Sequence, residues 1–268
     1  MTSNIVLKIE GVTKHFGGVY ALTDVSFDVM SGHVQAIIGP NGAGKTTLLN
    51  VISGIYQPDA GRVVLEGKDV TGLPSNKLAE AGVARTFQTP QIFQHMTALE
   101  NVVVGSHLFT DRNLLTSILN TSGFRKNEAD LFRSAKQFMV DVGLEHRISD
   151  HVAQMPYGEL KRLEVARALA LRPKLLLLDE PAAGLNHSES RQIGAIIRGL
   201  PSKGVTPILI EHDMKLVMNI SDRVQVLESG RTLSNGTPDE VRSDPKVIDA
   251  YLGAPDESEL SLNVEGAG

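Results

Sequence analysis

The residues Gly39-Pro40-Asn41-Gly42-Ala43-Gly44-Lys45-Thr46 fit the spacing G-x-x-x-x-G-K-[ST]. Glycines so placed let the backbone turn until successive N–H groups face one anion. Lys45 adds a point charge, and the Thr46 hydroxyl is a hard oxygen of the kind Mg2+ prefers. The chemistry this serves is a grip on the phosphates of a nucleotide; the plain alternative is a glycine-rich turn with an exposed lysine. A second group follows the apolar run Leu175–Leu178, where Asp179 and Glu180 stand side by side. Asp179 suits a metal held through water, and Glu180 suits a proton taken from an attacking water. Alone, that pair reads equally well as a solvated turn. His212 follows a third run, Pro207–Ile210, and is placed for a hydrogen bond to a terminal phosphate or to the same water. Only this position raises it above the others among the eight histidines.

These groups need elements that carry them to one place. The runs Val34–Ile38, Leu175–Leu178 and Pro207–Ile210 are too short for helices and lack the alternation of half-exposed strands. That predicts central parallel strands covered on both faces, with helical patterns between them, hence an α/β architecture. In an open sheet of this kind, ligands sit beyond the carboxyl ends of the strands. TTLLNVISGI, from Thr46 and Thr47 onward, reads as a helix whose N-terminus faces the same phosphates. VLKIEGV, VSFDV and RVVLEG, with turns at Ser31-Gly32 and Ala60-Gly61, predict an antiparallel β subdomain beside the main sheet. From about residue 89 to 173 helical signals dominate: Ala98–Gly105, Arg112–Leu119, residues 126–142 and the stretch Val152–Leu171. In the last of these, Leu160, Leu163, Ala166 and Ala170 form an apolar face, which leaves Glu159, Lys161, Arg162 and Arg167 for the remainder. Its entry, Pro156-Tyr157-Gly158-Glu159, lacks the Ser, Thr, Asp or Asn that usually caps a helix.

Composition narrows the class. The 268 residues suffice for one large α/β domain, residues 1–253, with an acidic, flexible tail over 254–268. The formal charge, 26 − 31 = −5, argues against a general nucleic-acid partner. Without cysteine there is neither a disulfide scaffold nor a cysteine metal site. No secretory signal and no run of 18 apolar residues is seen, so the chain is not expected to span a membrane.

GPNGAGKTT, Gln88 in RTFQTP, MPYGELKRLEVARAL, LLLLDEP, the GLN at 184–186 and His212 come in an order that resembles the ATPase subunits of ABC transporters, over roughly residues 5 to 253. VARTFQTPQIFQHMTALENVVVG, the YGE form of the signature, DEPAAGLN and DPKVIDAYLG are similar to the subfamily that powers branched-chain amino acid importers. The resemblance implies a P-loop NTPase core with an antiparallel β subdomain and a helical subdomain inserted at about 89–173. It implies ATP and Mg2+ as cofactors, with Phe16 stacked on adenine, residues 39–47 around the phosphates, and Thr46, Gln88 and Asp179 at the metal. Glu180, His212 and Gln88 would act on the attacking water. It implies a second ATPase subunit, identical or merely similar, whose site is completed by Pro156, Tyr157, Gly158 and Glu159 across a head-to-tail dimer. Pro156 departs from the usual Leu-Ser-Gly-Gly-Gln signature, since it replaces a serine; Asn186 stands where many such ATPases have aspartate. Ile92, Phe93 and Met96 would line a groove for a short helix of a membrane permease. A periplasmic solute-binding protein would be an indirect partner, and the location would be the cytoplasmic face of the inner membrane. Two other readings stay open: an ATPase driving lipid or polysaccharide export, and a partly degenerate nucleotide-binding module that regulates.

Overall fold

The computed structural model describes residues 5–106 and 122–252. Two sheets organise them. The smaller is antiparallel, ordered β2-β1-β4-β5, from β1 (Ile5–Phe16), β2 (Val19–Met30), β4 (Ala60–Leu65) and β5 (Lys68–Asp69). The larger is ordered β10-β9-β3-β8-β7-β6, from β3 (Gln35–Ile38), β6 (Val83–Arg85), β7 (Leu175–Asp179), β8 (Thr206–Ile210), β9 (Arg223–Glu228) and β10 (Arg231–Gly236). All its pairings are parallel except the hairpin β9–β10.

The continuous apolar runs are explained by the two sides of this sheet. Ile37, Leu175, Leu177, Ile208 and Ile210 pack into one core with the antiparallel sheet and with α1 (Lys45–Ile52). Their neighbours Ala36, Ile38, Leu176, Leu178 and Leu209 point the other way, into a core shared with the helices. Successive strand residues face opposite sides, so a strand buried on both has no polar position to alternate. The helices of the second layer include α3 (Ala98–Gly105), α4 (Ser122–Asp141), α5 (Tyr157–Leu169), α6 (His187–Gly199) and α7 (Met214–Ile220). Of these, α3, α4 and α5 lie between β6 and β7 in the chain, while α2 (Ser75–Glu80) precedes β6.

Several boundaries differ from the sequence reading. Helix α4 begins at Ser122 rather than 126. Ala60-Gly61 is not a turn but the start of β4, where Gly61 lies against the backbone of Gly11 at a shift in register. The helix expected within Val152–Leu171 is confined to Tyr157–Leu169 after a separate 3-10 turn at Val152–Gln154. Lys161, placed on its polar side, is buried. The candidates Arg112–Leu119 and the tail 254–268 lie outside the described residues.

Candidate nucleotide site

The loop from Gly39 to Gly44 joins β3 to α1. Two of its glycines are dictated by contact. A Cβ on Gly39 (φ 148°) would lie 2.1 Å from the Leu227 carbonyl oxygen, and one on Gly44 (φ 98°) would lie 2.5 Å from that of Ala21. No side chain fits at such separations, so the loop is pressed onto β9 and β2. Pro40 accepts a hydrogen bond from the Ala43 N–H (3.1 Å). Asn41, Gly42 and Thr46 are exposed, and Thr47 is half-buried. Gly44 caps α1 without a side-chain bond, and the first turn has no acidic residue, so the positive end of the helix is unneutralised by its own side chains. Lys45 is buried, 6% exposed, and donates to the carbonyls of Gly39 (2.6 Å) and Pro40 (3.0 Å).

The other reactive groups converge because neighbouring parallel strands end level. Asp179 pairs with Ile210 across β7 and β8, and the Glu180 N–H donates to the Ile210 carbonyl (3.0 Å). That register brings Glu180 beside His212, whose Nε2 lies 2.7 Å from Glu180 Oε1. On the other side, Arg85 of β6 pairs with Leu177, so the segment leaving β6 runs past the same strand end. Gln88 there donates from Nε2 to Glu180 Oε2 (2.6 Å). The carboxylate is thus held at both oxygens by groups from two different loops. Glu180 has φ 49°, in the left-handed region that costs a non-glycine residue about 1–3 kcal/mol. Gln88, which the resemblance sets at the metal and on the attacking water, uses its amide nitrogen for this contact and keeps its amide oxygen for another.

Thr46, Asp179 and Gln88 offer hard oxygens, a donor set that suits Mg2+. Among the described residues no cluster of three or more His, Cys, Asp or Glu is placed to hold a metal. A hydroxyl, a carboxylate and an amide oxygen fit an ion that takes few protein oxygens and completes its shell with phosphate oxygens and water, as Mg2+ does.

Phe16 ends β1, is 43% exposed, and meets Tyr56 edge-on at 5.1 Å between ring centroids. The Lys14 ammonium lies over the same ring, 5.4 Å from its centroid. Pro156 occupies the cap of α5 (φ −58°, ψ 151°), and its carbonyl accepts from the N–H groups of Glu159 and Leu160, both at 3.0 Å. Exposed Tyr157 lies against Gly184, and buried Gly158 lies against Glu189. Glu159 is paired with Arg147 at 2.8 Å. Asn186 caps α6, accepting from the N–H groups of Ser188 (2.9 Å) and Glu189 (3.0 Å), a task aspartate performs equally well.

Sequence reasoning missed a set of buried charges behind these loops. Lys161 donates to the carbonyls of Gln88 (2.6 Å) and Glu180 (3.2 Å). Desolvation pushes its ammonium below the ordinary lysine value, opposed by Glu164, Glu211, Glu180 and Asp179. Glu164 accepts from the Phe87 N–H (3.0 Å), and Arg167 donates to the Gln91 carbonyl. Glu211 accepts from the N–H groups of Ala182 (2.6 Å) and His212 (3.1 Å). Burial raises both carboxyls, Glu164 and Glu211, above the usual range. A lone acid inside the apolar string LEVARALAL was the available signal for Glu164.

Beside this shell lies a cavity of about 420 Å³ whose walls include Ile92, Phe93, Val104 and Leu171, with Arg85, Glu164 and Arg167 also lining it. Phe93 is 49% exposed there. Met96, grouped with Ile92 and Phe93 from sequence, is not among the lining residues. No described helix is long and apolar enough to cross a membrane.

The family described as ABC transporter matches residues 22–183, and that described as branched-chain amino acid ATP-binding cassette transporter matches residues 231–257. A high-affinity branched-chain amino acid transport ATP-binding protein of Pseudomonas aeruginosa, BraF, is 44% identical over 252 residues, covering 94% of this chain and 99% of that one. An ATP-binding cassette of an ABC transporter in its ADP conformation superposes with a TM-score of 0.81 at 36% identity, covering 93% of this chain and 99% of the other. A dimeric cassette in a post-hydrolysis state, bound to ADP and phosphate, has a TM-score of 0.72 at 26% identity, covering 87% and 98%.

Proposed function

The chain belongs to the ATP-binding cassette family of transport proteins, and from that premise we propose that it is the ATP-hydrolysing subunit that powers import of branched-chain amino acids, or small solutes like them, through a separate membrane permease. The observation that carries this reading is likeness running through nearly the whole chain to a branched-chain amino acid transport protein, including the C-terminal segment 231–257 remote from the phosphate loop.

Site geometry supports the hydrolytic step. Residues 39–47 grip the β- and γ-phosphates of ATP, with Lys45 leaving the Gly39 and Pro40 carbonyls for phosphate oxygens, and Phe16 stacks on the base. Glu180, oriented by Gln88 and His212, takes a proton from water as the water oxygen bonds to the γ-phosphorus. The bond from that phosphorus to the β–γ bridging oxygen breaks, and ADP and phosphate leave. Thr46, Asp179 and Gln88 would hold Mg2+, which neutralises charge on the phosphates when bound.

A second cassette chain, a copy of this one or a similar one, faces it head to tail. Pro156, Tyr157, Gly158 and Glu159 then address the phosphates held by that partner, with the N-terminal end of α5 toward the charge. Residues 1–253 act as one cassette domain whose insert, about 89–173, carries α5. The cavity at Ile92 and Phe93 receives a helix of the permease; the chain works at the cytoplasmic face of the inner membrane, with a periplasmic solute-binding protein as an indirect partner. Vesicles holding the assembled transporter test the solute class: labelled leucine uptake should be suppressed by excess valine or isoleucine and not by lysine. Equal suppression by lysine would remove the branched-chain assignment.

A further inference from the structure

We propose that Arg85 is a positioning residue for the metal carboxylate, holding Asp179 in place while weakening its pull on the cation. This rests on the assignment of Asp179 to the metal made above. Arg85 sits on the edge strand β6, and its side chain and that of Asp179 are each only 10% exposed. Its guanidinium is divided among separate elements. Nη2 donates to Asp179 Oδ2 at 2.9 Å; Nη1 donates to Asn50 Oδ1 at 2.6 Å and to Ser53 Oγ at 2.9 Å, at the far end of the helix that begins with Lys45. One side chain therefore ties β6, α1 and the acidic end of β7 together, and the Phe87 ring lies 5.5 Å from its central carbon.

The arrangement is a poor one for stability alone. Arg85 Nε is buried with no hydrogen-bond partner among the described residues. A cation buried with one donor unmet is costly, and an apolar pair in place of Arg85 and Asp179 together would join the strands without that cost. What an apolar pair lacks is a carboxylate with a charge beside it. The guanidinium takes Oδ2, leaves Oδ1 as the oxygen to offer, and sets a positive charge against any cation that Oδ1 approaches. A metal bound too tightly would hold the products of hydrolysis; a carboxylate left to turn would misplace it. Arg85 serves both needs with one contact.

The two roles predict opposite signs when the charge is removed. Arg85→Gln should tighten Mn2+ binding to the ADP complex, read by electron paramagnetic resonance, by about tenfold, because the repulsion is lost. The same variant should lower kcat by about tenfold, because the carboxylate loses its orientation. Arg85→Lys restores the charge but not the fork, so Mn2+ affinity should return to the original value while kcat recovers only in part. ADP affinity without metal should be unchanged in both, which also reports an intact fold. Asp179→Asn tests the underlying assignment: it should weaken Mn2+ binding at least tenfold. Unchanged Mn2+ affinity in Asp179→Asn removes the metal assignment and the role of Arg85 with it. If Asp179→Asn weakens Mn2+ while Arg85→Gln leaves it unchanged or weakens it in step with kcat, only the role of Arg85 is overturned.

Discussion

At the scale of single residues, the proposed chemistry turns on how Glu180 is held. Its carboxylate meets Gln88 at one oxygen and His212 at the other, and its backbone sits in a costly conformation that Lys161 and the Ile210 carbonyl secure. A hydrogen bond to a charged group contributes about 1.5–3 kcal/mol, so Gln88→Ala and His212→Ala should each lower kcat by about 10- to 100-fold. Because both act through one carboxylate, the double variant should lose less than the product of the two. Steady-state phosphate release measures this, and fully multiplicative losses would show that the two groups act separately. Lys45→Ala should nearly abolish ATP binding, with about 1.5–3 kcal/mol lost from the charged contact alone. Titration of a fluorescent ATP analogue checks it; unchanged affinity would remove the phosphate grip. The residues of this site were the most legible from sequence. The phosphate loop is contiguous, and Asp179, Glu180 and His212 each follow a run that has to be a buried strand. The pairing of Gln88 with Glu180 was not legible, since 91 residues lie between them in the chain (180 − 88 − 1) and only strand order brings them together.

At the scale of elements, α5 does more than present its first turn. Lys161, Glu164 and Arg167 recur every three residues along one side and each bonds to the segment from Phe87 to Gln91. Residues at that spacing are neighbours on a helix surface, so the three form a row of contacts that ties the Gln88 loop to the helix. Lys161→Met keeps the apolar stem and removes the ammonium. Turnover should fall about tenfold or more, from the loss of a charge-assisted bond to the Gln88 and Glu180 backbones, while ATP affinity is preserved. Equal loss of both would point to general damage instead. Glu164 gives a pH signature. Burial raises its carboxyl above the ordinary 4.5, so between 4.5 and that higher value the folded state binds more protons than the unfolded one. Stability then falls as pH rises through the window. Glu164→Gln removes that contribution, so denaturant melts should show the variant gaining on the parent as pH rises from 4.5; Glu211, raised in the same direction, is present in both and cancels. A constant difference across the window would contradict a buried, proton-retaining Glu164. This row was hidden from sequence reasoning because charge at i, i+3 and i+6 ordinarily marks a solvated face. Only the tertiary neighbour, a loop with unpaired backbone groups, makes burial of charge the better outcome. Strand β6 was missed for a related reason: three residues carry too little pattern to read.

At the scale of the whole molecule, two apolar cores flank one sheet, and every proposed reactive group lies at the carboxyl ends of its strands. That architecture was legible in the runs buried on both faces; the order of the strands was not, because parallel strands pair across long crossovers. The exposed ring of Phe93 beside the cavity marks the surface proposed for the permease. Phe93→Asp should reduce co-purification with the membrane subunits while ATP affinity stays unchanged; normal yield of the complex would remove the groove from that role. The central claim joins the two ends of the molecule: proton transfer to Glu180 in this chain drives solute across a membrane held by another. The most direct test places the assembled transporter in vesicles with ATP and the solute-binding protein on their proper sides, and follows labelled leucine. Parent protein should take leucine up with concurrent phosphate release. Glu180→Gln, which keeps the hydrogen-bonding shape but not the base, should bind ATP normally and lose both activities by about 100-fold or more. Undiminished uptake by Glu180→Gln, or ATP-driven export by the parent, would contradict it.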